Sequence, residues 1–215
     1  MIPTFEDFIV PSLGGDITIS DQLLIDVSGE GGGRIFIRNG QFIADNSLIK
    51  ADTVGNKSGY GINIKVDDFS LNYTEITSDT FSEGYAGSIS IDASNISLNV
   101  SRVKSDADDI STNNSLISSD TYAYGNANQV LVIAKNNITM EEGWIASGSI
   151  GAFDNVGNAA QVIIEANKLV VNNAGIYSET NTKGNAGKIV IKVNDLLIDD
   201  GGRLYTSTTS AGNAG

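Results

Sequence analysis

Residues 184–215 read GNAGKIVIKVNDLLIDDGGRLYTSTTSAGNAG, one small-residue tag at each end of a stretch that alternates apolar and polar residues. Between the tags stand Ile-Val-Ile, then Leu-Leu-Ile, then a Gly-Gly turn and Leu-Tyr. Such period-two runs, punctuated by Gly, Asn, Asp and Ser, are the pattern of short strands and turns. The same arrangement recurs upstream. GDITIS, GRIFIR, GINIKV, GSISID, QVLVIA, QVIIEA and KIVIKV begin alike, with first anchors at Ile17, Ile35, Ile62, Ile89, Leu131, Val162 and Ile189. The intervals are 18, 27, 27, 42, 31 and 27 residues, and a repeated 27 lies in the range of solenoid repeats.

Anchors continue inside each unit. Two residues on come Ile37, Ile64, Ile91, Ile133, Ile164 and Ile191; seven on come Phe42, Phe69, Ile96, Ile138, Leu169 and Leu196. Fourteen on come Ile49, Ile76, Val103, Ile145 and Ile176, with Leu204 one place late in the last unit, as a single extra turn residue requires. The long interval also has a cause, because NSLISSDT at 114–121 repeats NSLIKADT at 46–53. About 15 additional residues therefore lie at about 100–114, as a loop or a partial coil, and the cluster Asp106, Asp108, Asp109 favours the loop because stacked carboxylates repel.

Three alternating segments per unit predict an all-β, single-stranded parallel β-helix of about seven coils over residues 15–215, preceded by a lead-in at 1–14. A β-sandwich of short strands also alternates, but nothing in it requires a fixed repeat. The tag recurs as GYAG at 84–87, GNAN at 125–128 and GNAA at 157–160, and predicts the turn that closes each coil. There Gly and Asn would accept positive φ and Ala would stack on its copy. A tag at the very end predicts an open strand edge and a piece of a longer rod.

Composition narrows function. The 215 residues carry 26 Asp and Glu against 13 Lys and Arg, a net charge of −13, with neither Cys nor His. That balance opposes a nucleic-acid partner, which requires clustered cations. It also removes disulfides, thiolate metal sites and the commonest general base. No apolar run is long enough to span a bilayer as a helix, and the start MIPTFEDFIVPSLGG shows no export signal.

The letters GNAGKIVIKVNDLLIDDGGRLYTSTTSAGNAG at 184–215, GGGRIFIRNGQFIADNSLIKADTVGNKSGYGINI at 31–64 and EGYAGSISIDASNISL at 83–98 resemble the repeat region of filamentous-haemagglutinin-like exoproteins. These are large bacterial proteins of the two-partner secretion type, with S-layer-like relatives. The resemblance implies a right-handed β-helix, exported by an outer-membrane transporter and displayed extracellularly or on the outer-membrane surface as an adhesive fibre. Its partners would be a host or cell-surface glycan or protein. The Asn-Pro-rich secretion motifs of that family are not visible, since the two prolines are Pro3 and Pro11.

The chemical rival is a polysaccharide lyase or hydrolase on the same fold; a ligand-free surface-layer spacer is the structural one. Carboxylate pairs stand at Asp67–Asp68, Asp106 with Asp108 and Asp109, Glu141–Glu142 and Asp199–Asp200, mostly where turns are expected to use them for backbone hydrogen bonds. The outward stripe Lys65, Asp92, Ala134, Glu165, Lys192 mixes charges that would relieve one another. The Gly-Gly-x-Gly-x-Asp calcium nonapeptide is absent, and SDADD at 105–109 reads as a solvated loop. The expectation is a non-catalytic chain with no cofactor and no metal. One outward run survives as a possible interaction surface: Val132, Ile163 and Val190 between paired anchors, with Tyr177 and Tyr205 in the third strand.

Overall fold

The computed structural model describes residues 14–99, 116–150 and 157–215. Fourteen strands and no helix make up these residues. Long strands alternate with short ones: β1 (Ile17–Ile19), β2 (Leu24–Asp26), β3 (Arg34–Asp45), β4 (Leu48–Lys50), β5 (Gly61–Asn72), β6 (Glu75–Thr77) and β7 (Ser88–Asn99). They continue as β8 (Leu116–Ser118), β9 (Val130–Glu141), β10 (Trp144–Ser149), β11 (Val162–Asn172), β12 (Gly175–Thr180), β13 (Ile189–Asp199) and β14 (Arg203–Thr208). Odd strands form one seven-stranded parallel sheet and even strands another, each strand beside its copy in the next coil. The chain is thus a parallel β-solenoid of about six turns.

The first two segments of each unit run on in one long strand. In β5, Ile62, Ile64 and Val66 are buried, Asp67 and Asp68 are both exposed, and burial resumes at Phe69 and Leu71. Inward parity changes across the two aspartates, so the strand turns a corner there and lines two faces of the interior. A third line of contact passes through the isolated bridges Gly29–Thr53–Thr80–Thr121–Ser149.

Equivalent side chains fall into columns. Phe42, Phe69, Ile96, Ile138, Leu169 and Leu196 are paired in register, as are Ile49, Ile76, Ile117, Ile145, Ile176 and Leu204. The Phe42 and Phe69 rings stack with centroids 5.8 Å apart. Each such aliphatic side chain, removed from water, contributes about 1.5–3 kcal/mol.

Three register expectations are corrected. Ile17 pairs with Phe42, not Ile35, so β1 belongs to the second face and the first coil is partial. A three-residue alternating run looks the same on every face, which is why GDITIS reads as a coil start. In the fifth unit the anchor is Val130, not Leu131: Ile89 pairs with Val130 and Ile91 with Val132. A β-bulge is responsible, since the register shifts between Ala93 and Asn95 against β7, and between Glu165 and Lys168 against β11. One extra residue in β9 keeps Ile138 in phase while moving everything before it by one.

The third correction concerns Val103, whose expected column place belongs to Ile117. Val103, the insertion at 100–114 and the cluster Asp106, Asp108, Asp109 lie outside the described residues, as does most of the lead-in. The short strand starts three residues after the long one ends at β3–β4, β5–β6, β9–β10 and β11–β12, but seventeen after at β7–β8 and four after at β13–β14.

The GNAG turns stack, but not through positive φ. No residue of the described tags has it; Asn46, Tyr73, Glu142, Asn173 and Asp200 do, in the turn between long and short strands. The tag glycines answer a steric demand, because a Cβ at Gly125 or Gly157 would collide with the carbonyl of the tag glycine one coil below. The tag asparagines form a ladder: Asn126 Oδ1 accepts from the N–H of Asn158 at 2.7 Å, Asn158 Oδ1 from that of Asn185 at 2.8 Å, and Asn185 Oδ1 from that of Asn213 at 2.9 Å.

Candidate functional site

The outward position between paired anchors reads Phe36, Asn63, Ser90, Leu131, Ile163, Val190 in register. Ile163 and Val190 stand where expected and are partly exposed; Val132 does not. It is completely buried between Ile91 and Ile164, because the β9 bulge turns it inward and presents Leu131 instead. The apolar strip is therefore Leu131, Ile163 and Val190.

Tyr177 and Tyr205 do come together. Their rings stack at 5.4 Å and 11°, and Trp144 meets Tyr177 edge-on at 5.7 Å. The trio runs along the rod axis, so its ring faces are largely spent on one another. Burial, with Asp120 and Glu179 nearby, pushes the Tyr177 hydroxyl well above the ordinary phenol range. This ladder stiffens β10, β12 and β14 more than it offers a platform.

The charged stripe runs Arg38, Lys65, Asp92, Ile133, Glu165, Lys192, with Ile133 in the place expected for Ala134. Lys65 pairs with Asp92 at 3.0 Å and Lys192 with Glu165 at 2.6 Å. Opposite charges thus neutralise each other between adjacent coils, as the alternating sequence implied. One member of each other described carboxylate pair has a local duty. Asp68 Oδ1 accepts from the Asn95 amide at 2.8 Å, Glu142 Oε1 from the Asn173 amide at 3.1 Å, and Asp199 Oδ1 from the Asp200 N–H at 2.8 Å.

Two exterior grooves stand out among the described residues. The larger, about 380 Å³, crosses β5, β7 and β9 at the corner side and is polar, with Asp68, Asn95, Ser97, Asn137, Thr139 and Glu141 among its lining. Its carboxylates Asp68 and Glu141 lie two strands apart and four residues out of register, since Asp68 aligns through Asn95 with Asn137. That places their backbones about 16 Å apart from strand geometry. Paired glycosidase carboxyls stand roughly 5–9.5 Å apart. The smaller groove, about 280 Å³, is lined by Arg34, Phe36, Tyr60, Asn63 and Ser88 around Gly61 and Ile62. Among the described residues no group of three or more acidic side chains converges as a cation site would require.

The repeat that sequence reading left unused is Ser-Asp-Thr. Asp52, Asp79 and Asp120 occupy one buried column, 7, 7 and 5 % exposed. Asp52 Oδ1 accepts from the Asp79 N–H at 3.0 Å, Asp79 Oδ1 from the Asp120 N–H at 2.9 Å, and Asp120 Oδ1 from the Gly148 N–H at 2.5 Å. Beside them Thr80 and Thr121 donate to the carbonyls of Gly84 and Gly125, tying the third face to the tag turn. Burial raises Asp79 well above the usual carboxylate range, with repulsion from Asp120 adding to it. Burial likewise raises Asp120 to about 6, against the lowering effect of the Gly148 N–H. The signal was available as ADT, SDT and SDT at 51–53, 78–80 and 119–121.

Comparison of the chain with protein-family models, curated proteins and solved structures finds no match.

Proposed function

We propose that this chain is a non-catalytic repeat segment of a secreted or cell-surface bacterial fibre, of the filamentous-haemagglutinin-like adhesin kind, exported by an outer-membrane transporter of the two-partner type. The observation that carries the reading is the axial stacking: two seven-stranded parallel sheets in which nearly every coil repeats the one below. About six turns at roughly 4.8 Å each make a stiff segment about 30 Å long. A rod of this kind places its turns and outward side chains at a fixed distance from its base.

The arrangement of carboxylates supports the non-catalytic side. Those on the stripe are paired with lysines, and the backbones that carry those of the larger groove stand about 16 Å apart. The acidic surface keeps such a rod soluble and away from like-charged surfaces.

The test has two arms. Beads carrying the chain should adhere to cells or polysaccharide films above the level of bare beads, and a panel of acidic and neutral polysaccharides should release no reducing ends or unsaturated uronates. Turnover abolished by Asp92→Ala or Glu165→Ala overturns the reading in favour of an enzyme; absence of adhesion to any surface leaves only a spacer.

A further inference from the structure

The smaller groove differs from the rest of the surface in kind. Arg34 stands at the start of β3 with its guanidinium 4.7 Å from the Tyr60 ring centroid and 5.4 Å from that of Phe36. Among the described residues its partners are these rings, and no carboxylate pairs with it. Both rings are exposed, Tyr60 at 59 % and Phe36 at 43 %. A planar guanidinium steadied by aromatic contacts keeps its N–H edge in a fixed plane, which is the geometry that takes the two oxygens of a carboxylate together.

The surroundings extend this chemistry. Asn63 and Ser88, the small polar residues of the next two coils, form the groove floor and can exchange hydrogen bonds with hydroxyls. Arg34 covers one face of Tyr60, and the exposure of the ring leaves apolar area for the C–H face of a sugar. A volume of about 280 Å³ is below the roughly 300–1,000 Å³ of sites that enclose drug-sized molecules, which suits one ring of a chain that continues along the surface.

Charge does not oppose an anion here, although the chain as a whole carries −13. Lys65 with Asp92 and Lys57 with Glu30 form neutral pairs at 3.0 and 3.2 Å, while Arg34 lies against the two rings. At physiological salt the screening length is about 8 Å, so carboxylates elsewhere on the rod act on Arg34 only weakly.

We propose that Arg34, Tyr60 and Phe36 form a binding site for a carboxylate-bearing sugar residue of a polysaccharide, with Asn63 and Ser88 meeting its hydroxyls. The proposal rests on the adhesive reading above and supplies its ligand class. The outward column that holds Phe36 provides an internal control, because it carries Ile163 four coils on and Val190 five coils on, with no aromatic ring.

Titration of the chain with tetragalacturonate, followed by calorimetry or NMR, should show saturable binding that a neutral galactose tetramer does not reproduce. Arg34→Ala should weaken it at least ~10-fold, the loss of one charge-assisted bidentate contact. Arg34→Lys, which keeps the charge but not the fork, and Tyr60→Ala should each weaken it ~5-fold. Lys192→Ala, which removes a cation at the far end of the rod, should leave it unchanged. Thermal unfolding of each variant checks that the solenoid is intact. Equal affinity for the neutral tetramer, tighter binding of a sulfated oligosaccharide, or wild-type affinity in Arg34→Ala overturns the site. A chain that adheres to surfaces but ignores tetragalacturonate sinks this site and leaves the adhesive reading standing; a chain that cleaves tetragalacturonate sinks the non-catalytic reading and leaves the site.

Discussion

On one wall of the interior Phe42, Phe69, Ile96, Ile138 and Leu169 lie above one another, none more than 2 % exposed. On another, Asp52, Asp79 and Asp120 do the same, equally spaced and nearly as buried. The apolar wall needs only volume and shape, so Phe, Ile and Leu interchange along it. The acidic wall needs hydrogen-bond donors, and each carboxylate finds one for its Oδ1 in a backbone N–H of the following coil. Stacking thus serves both walls, but the first is indifferent to pH and the second is not.

The largest expected effect lies on the apolar wall. Ile138→Ala, at a fully buried site, should lower unfolding free energy by about 4 kcal/mol in a denaturant titration at any pH from 4 to 8. A loss that varied with pH would blur the contrast between the walls.

The acidic wall should respond next. Asp79 and Asp120 are held above their ordinary range in the folded chain, so folding favours their protonated forms. Their contribution is complete below about pH 4, where the unfolded chain is protonated too, and that of Asp120 is lost as pH rises through about 6. Asp120 alone should cost about 3 kcal/mol across that interval. Asp120→Asn keeps an oxygen for the Gly148 N–H and cannot ionise. It should raise the melting temperature at pH 7 and change it little at pH 4; an equal gain at both pH values would show that ionisation is not the cause.

Asn158→Ala tests the tag ladder, which is polar and uncharged. Removing the side chain deprives the Asn185 N–H of its acceptor and should cost about 1–2 kcal/mol, without pH dependence. Smallest of all, Lys192→Ala removes a solvent-exposed ion pair with Glu165 and should change stability by less than about 0.5 kcal/mol, vanishing in high salt.

Much of the fold was legible because a solenoid repeats its side chains in register. The column from Phe42 to Leu196 and the late arrival of Leu204 could be read from spacing, and the paired strands follow that reading. The interaction surface was legible only in part. Ile163 and Val190 face outward as alternation requires, while Val132 is inside because one extra residue in β9 reverses the parity upstream of it. Counting from either neighbour along the chain gives a consistent pattern, and only the pairing shows where the phase changes. Tyr177 and Tyr205 were legible as neighbours, but not that Trp144 completes their stack.

What the sequence determined by itself is the period, the strands and the columns, since these follow from alternation and from recurrence every 27 residues. What only the tertiary structure decided is which residues meet when they share neither period nor parity. Arg34 lies against Tyr60 because a turn returns the chain over the start of β3, twenty-six positions later. Val132 packs inside and Leu131 outside because the extra residue of β9 falls between Ala134 and Asn137. A period describes each strand and its copy; distance across the coil depends on where the corners and the bulge fall, and those are set by packing.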